Sequence, residues 1–210
     1  VLKRYNLWGG NAFDLGYIRS EYTEKLYNSI VNRLIKVLVG QRRVGKSYLL
    51  RQMAMHLVEI GVDSKNIFFV NRELRDFNFI ETESDLDSLF KLYMKELKPQ
   101  GKIYLFIDEI QNINDWERFV NSYSQDYTME SELFISASNS NMLSGELATL
   151  LSGRYIKFQV SPFSYGEYIG FWGMEKNKKS FTDLSILVAC RKCTVYLLSV
   201  ISCIKVFYME

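Results

Sequence analysis

Residues 35–47 read Ile-Lys-Val-Leu-Val-Gly40-Gln41-Arg42-Arg43-Val44-Gly45-Lys46-Ser47. A short apolar run of the parallel-strand kind passes straight into G-x-x-x-x-G-K-S, the spacing of a phosphate-binding loop. Its glycines permit backbone conformations that a Cβ would penalise, so successive amides can wrap an anion. Lys46 can reach β- and γ-phosphates, and the Ser47 hydroxyl can ligate Mg²⁺. From Ser47 to Ile60 apolar residues recur at helical spacing, and the pattern stops at Gly61. A helix opening near Lys46 points its positive dipole end at the same anion. Gly40, Gln41, Arg42, Arg43, Val44, Gly45, Lys46, Ser47 and the adjoining Tyr48 are therefore the candidate nucleotide contacts. A plain glycine turn is the alternative, and the strand and helix on either side argue against it.

A second strand, Lys102-Ile-Tyr-Leu-Phe-Ile-Asp108-Glu109, ends in two carboxylates. Ligands of a parallel α/β sheet sit beyond the carboxyl ends of its strands, where this pair would emerge. Asp108 suits a Mg²⁺ bound at Ser47, directly or through water, and Glu109 suits a base that polarises the attacking water. An acidic pair that merely opens a solvated loop is the bland reading. Between the two sites lie a strand at Asn66–Asn71 and a helix from Ser84 to Leu97, before Pro99. The Asp-Glu strand is thus separated from the loop strand by an extra strand, as in ATPases that hydrolyse with an acidic base. No Asn-Lys-x-Asp element for guanine is present; Asn177-Lys-Lys-Ser180 is a poor imitation.

A further strand, Glu132 to Ala137, ends in small polar residues. Asn139, with Ser138 as the fallback, could bond the γ-phosphate or the lytic water and act as a catalytic sensor. Ser140 or Asn141 is better placed to cap a helix from Met142 to Leu151. Arg154 precedes the last strand. It either stabilises the charge of phosphoryl transfer, from its own subunit or a neighbour, or pins the helix end in a salt bridge.

With a net charge of +2, 48% hydrophobic and 24% charged residues, the 210-residue chain reads as an ordinary globular protein. That charge gives no electrostatic case for nucleic acid or membrane. No apolar signal-peptide core follows Val1-Leu-Lys-Arg-Tyr-Asn. Cysteines stand only at 190, 193 and 203, which fits a reducing cytoplasm and argues against a disulfide scaffold.

Taken together, these words resemble bacterial or archaeal ATPases of the AAA+/STAND-like group, whose members usually carry a further C-terminal domain. The matching words are Gly40 to Ser47, Leu105-Phe-Ile-Asp-Glu-Ile-Gln111, Ser136-Ala-Ser-Asn-Ser140, Leu151-Ser-Gly-Arg-Tyr155 and Ser161-Pro-Phe-Ser-Tyr-Gly-Glu-Tyr168. The resemblance covers residues 17 to 170. It implies a three-layer α/β P-loop fold with a five-stranded parallel sheet in the order 5-1-4-3-2, of the additional-strand, catalytic-glutamate class. It also implies ATP with Mg²⁺, a conditional catalytic role for Arg154, and an adenine near Tyr17 to Arg19.

The organisation expected is an N-terminal segment packing near the nucleotide (1–30), an ATPase core (31–170), and an atypical tail (171–210) in place of the family's helical lid. The tail is rich in β-branched residues and reads as buried strands or an unordered remnant, the end of a truncated or frame-shifted product. Arg191 and Lys192 break it too early for a membrane span. Its three thiols lack a clear fourth zinc ligand. Hydrolysis that drives or gates a conformational change is the leading function. A nucleotide-dependent switch with little turnover is the alternative, and a DNA-associated ATPase a second one. A homo-oligomer or a protein partner is compatible with either reading.

Overall fold

A computed structural model describes residues 1–138, 151 and 153–189. They divide into two compact units: residues 1–40 with the described residues of 46–160, and residues 41–45 with 161–189.

The first unit is built on five parallel strands: β1 (Ile35–Val39), β2 (Ile67–Asn71), β3 (Ile103–Asp108), β4 (Ser131–Ala137) and β5 (Tyr155–Gln159). They lie in the order β2-β3-β4-β1-β5, which is the order the resemblance implies. The helices are α1 (Ser20–Asn28), α2 (Lys46–Glu59), α3 (Glu83–Leu97) and α4 (Trp116–Gln125). α3 opens on a reciprocal capping box between Thr82 and Asp85 and closes at Lys98, in the left-handed conformation just before Pro99.

Strand alternation sorts the core into two layers. Ile35, Val37, Val39, Phe68, Val70, Leu105, Ile107, Leu133, Ile135 and Ala137 form one apolar cluster with Leu86, Phe90 and Tyr93 of α3 and Trp116 and Phe119 of α4. The alternate residues carry the stacked rings of Phe69, Phe106 and Phe134 on the other side. There α2 crosses β3 and β4 and buries Leu49, Leu50, Met53, Ala54 and Leu57.

The free edge of β2 is covered by the N-terminal segment through side chains rather than a sixth strand. Asn6, fully buried, accepts from the Phe69 N–H at 2.7 Å and donates to the Phe69 carbonyl at 2.9 Å. Trp8 Nε1 donates to the Ile67 carbonyl at 2.8 Å, and its ring stacks on Tyr93. A strand edge left open is a template for pairing with another chain. Asn6→Ala should cost about 2 kcal/mol, because it strands a buried amide and carbonyl, and should raise self-association. A urea midpoint and light scattering would check both; an unchanged midpoint would refute the capping role.

In the second unit, α5 (Tyr165–Trp172) starts on a Ser164–Glu167 capping box. It is followed by α6 (Lys178–Ala189), so the expectation of strands fails over these residues. The reason is local. The Asn177 side chain accepts from the Ser180 N–H at 2.9 Å and the Asn177 N–H donates to Ser180 Oγ at 3.3 Å, which caps a helix. The Tyr165 ring meets Phe181 edge-on and so ties the two helices together. The cysteines at 190, 193 and 203 and the capping residues 140 and 141 lie outside the described residues. No helix among the described residues is long and apolar enough to cross a membrane.

Candidate functional site

The parallel register brings the carboxyl ends of β1, β3 and β4 to one edge of the sheet. Val39 lies beside Ala137, Ile107 beside Ile135, and Asn71 beside Asp108. Gly40, Lys46, Asp108, Glu109, Ser136 and Ser138 all follow from or end these strands. Within the loop, Arg43 and Gly45 take left-handed backbone angles, φ 67° and 94°. A Cβ at Gly45 would meet nothing within 4 Å, so conformation rather than space selects glycine there.

Lys46, 3% exposed, points its ammonium into the site. It donates to the Gly40 carbonyl at 3.1 Å and to Ser138 Oγ at 3.1 Å, and pairs with Glu109 Oε1 at 3.4 Å. Ser138 Oγ in turn lies 2.6 Å from both Glu109 carboxylate oxygens. Gln111 Nε2 donates to Glu109 Oε2 at 2.6 Å. Burial alone would raise the Glu109 pKa; the bonds from Ser138 and Gln111 and the Lys46 charge together hold it below the usual carboxylate range. Glu109 stands in the left-handed region at φ 54°. That conformation costs a non-glycine residue about 1–2 kcal/mol and recurs at functional sites.

Asp108 is fully buried at the end of β3. Burial pushes its pKa up, with the Glu109 charge adding to it; the hydroxyls of Ser136 and Ser47 and the Lys46 charge oppose the rise. Ser136 donates to Asp108 Oδ1, while Oδ2 is buried without a hydrogen-bond partner of good geometry. An orphaned carboxylate oxygen close to the Ser47 hydroxyl is an all-oxygen donor set, which suits Mg²⁺. Among the described residues no cluster of three or more His, Cys, Asp or Glu could hold a metal by itself. A metal here would have to complete its shell with waters and phosphate oxygens.

The segment ahead of β1 is fastened to the helix that carries Ser47. Gln52 Nε2 donates to the carbonyls of Leu15 and Tyr17, both at 2.7 Å. Gly16, at φ 56°, lies so close to Tyr48 that a Cβ would stand 2.7 Å from the ring. Residues 15–19 are thereby held beside the first turns of α2.

One expected residue is not brought to this site, and another cannot be placed. Asn139 lies outside the described residues; Ser138, the fallback, is the polar strand-tip residue that meets Lys46 and Glu109. Arg154 stands at the start of β5, its carbonyl accepting from Ile35 N–H at 2.9 Å and its guanidinium bonding Asn121 Oδ1 at 3.0 Å. Because β5 runs parallel to β1, Arg154 is a full strand away from the Gly40 end, on the order of 16 Å. Ser136 and Gln111 were not singled out by sequence. The alternation of Ser136 with Ser138 on one strand face was the available signal, and the register that sets Ser136 against Asp108 was not.

Residues 32–169 match the family described as "AAA domain". The chain is 38% identical over 151 residues to an uncharacterized protein of Haemophilus influenzae, covering 72% of this chain and 37% of that one. It therefore spans little more than a third of that relative's length. Among solved structures it is similar to the Thermotoga maritima RuvB Holliday junction branch migration motor, with a TM-score of 0.51, 18% identity, and coverage of 73% of this chain and 49% of that one. It is also similar to the Aeropyrum pernix ORC1 protein in complex with DNA, with a TM-score of 0.53, 13% identity, and coverage of 74% and 49%. At those identities the likeness to solved structures is one of fold. The family match covers the sheet, the loop and the Asp108–Glu109 edge, so the chain belongs to the AAA domain family and carries its nucleotide-binding P-loop ATPase domain.

Proposed function

We propose that this chain hydrolyses ATP with Mg²⁺ and uses the cycle to drive or gate a conformational change. The observation that carries the reading is the convergence of Lys46, Asp108, Glu109 and Ser138 at one sheet edge, with Asp108 Oδ2 left unbonded. Lys46 would move from its present oxygens to the β/γ-phosphates, and Ser47 and Asp108 Oδ2 would hold the metal. Mg²⁺, when bound, neutralises phosphate charge. Glu109 would take the proton of the attacking water, oriented by Ser138 and Gln111. Residues 15–19, fixed by Gln52, would flank the base.

Arg154, at the far end of its own sheet, would serve phosphoryl transfer only in a neighbouring copy, so that role implies a homo-oligomer. We read 31–170 as the catalytic core and the tail from 171 as taking the lid's place in chain order. A reducing compartment such as the cytoplasm fits a chain whose cysteines stand only at 190, 193 and 203. A switch with little turnover is favoured by one observation: both Glu109 oxygens already accept hydrogen bonds, so freeing the base carries a cost.

Lys46→Ala should weaken ATP binding about tenfold to a hundredfold, since a charge-assisted bond contributes about 1.5–3 kcal/mol. Calorimetric titration with ATP·Mg²⁺, beside a turnover assay of the parent chain, tests this. Unchanged affinity would reject the phosphate-loop reading. Binding without turnover in the parent would leave the switch.

A further inference from the structure

We propose that Ser136 positions the Asp108–Glu109 pair: one buried hydroxyl decides which Asp108 oxygen faces the metal and holds Glu109 in its left-handed turn. The proposal rests on the ATPase reading above and adds a residue to it.

Ser136 lies on β4, the strand between those that carry the loop and the carboxylates, and is fully buried. Its hydroxyl does two things at once. It donates to Asp108 Oδ1, and it accepts from the Glu109 N–H at 3.0 Å. A serine hydroxyl has a single donor and room for acceptance, so both capacities are directed at these two neighbours. The blander account is a core serine that merely satisfies itself. Two details speak against it. With Oδ1 occupied, Asp108 is left with one unbonded, buried oxygen, so the carboxylate cannot rotate freely and presents Oδ2 alone. The Glu109 N–H, at φ 54°, follows the last residue of β3 and takes Ser136 Oγ as its acceptor. An alanine here would orphan that amide and relax both carboxylates.

The test compares Ser136→Ala and Ser136→Thr with the parent chain. In the ligand-free proteins the readout is hydrogen exchange of the Glu109 amide. With ATP present it is Mn²⁺ uptake followed by electron paramagnetic resonance, and ATP affinity in EDTA separates metal from nucleotide binding. Ser136→Ala should lose protection at the Glu109 amide and bind Mn²⁺ about tenfold more weakly, with ATP affinity in EDTA unchanged and kcat reduced more than KM. Ser136→Thr, which keeps the hydroxyl, should restore exchange and metal uptake. Should Ser136→Ala fail to fold, Ser136→Cys offers similar volume and a weaker donor, and the same loss is expected. Parent-like exchange and Mn²⁺ uptake in the alanine or cysteine variant would overturn the proposal alone. Absence of Mn²⁺·ATP uptake by the parent chain would overturn the ATPase reading and this assignment with it.

Discussion

Glu109→Gln should bind ATP with Mg²⁺ as tightly as the parent chain and turn it over about 10²- to 10⁴-fold more slowly, the range contributed by a positioned general base. The substitution removes a proton acceptor and a charge while keeping the shape. The new amide oxygen can take the place of Oε1, which receives Ser138 and faces Lys46. Its NH₂ would then stand where Oε2 meets the Gln111 amide nitrogen, a clash of two donors. Gln111 resolves that clash by turning its amide over, because its own Oε1 is buried and has no hydrogen-bond partner to lose. The variant should therefore fold normally, and its defect should be confined to chemistry. A fluorescent ATP analogue measures binding, and single-turnover hydrolysis measures the chemical step. Retained binding with lost turnover assigns the base. Turnover within threefold of the parent would remove Glu109 from that role.

How far such a site can be read from sequence depends on whether its contacts are local. The run from Ile35 to Ser47 announces strand, loop and helix within a dozen residues, and strand ends fall within a residue or so of expectation: Asn66–Asn71 against Ile67–Asn71, Lys102–Glu109 against Ile103–Asp108. The Lys46, Asp108 and Glu109 edge follows from the rule that strand ends carry ligands. What escaped is set by register and distance. Arg154 looks close to the loop in a sheet order, yet a parallel β5 puts it at the other end of the strand. Asn6 bonds a residue 63 positions away, and nothing around it in sequence says so. In the tail, β-branched residues drew attention from the Asn177–Ser180 cap that makes a helix. Lys36, one charged residue inside an apolar strand, gives no hint of its partner.

That partner decides the second large effect: Glu132→Gln is expected to destabilise the fold by about 3–5 kcal/mol near neutral pH, because it leaves a buried cation without its counter-charge. Lys36 on β1 and Glu132 on β4 are in direct contact, both side chains fully buried, and Lys102 reaches the other Glu132 oxygen at 2.5 Å from a partly exposed position. Burial, with the Lys102 charge adding to it, draws the Lys36 ammonium down to about 7 in the parent chain, and removing the carboxylate in contact with it would lower it further. In the variant Lys36 is thus already neutral near pH 7 in the folded state, while it stays protonated up to about 10.4 when unfolded. A depressed lysine costs stability in full below its folded pKa, and the cost fades as pH rises towards the unfolded value. The variant should thus regain about 2–3 kcal/mol between pH 7 and pH 9, two pH steps at about 1.4 kcal/mol each. Urea unfolding at the two pH values measures the difference. A Lys36→Met, Glu132→Leu double variant should recover most of the loss, since apolar side chains of similar volume replace a buried pair without desolvation cost. A Glu132→Gln variant with the parent's midpoint at pH 7 would mean that the triad is solvated in the native ensemble and that β1 and β4 are held by their backbone ladder and packing without it.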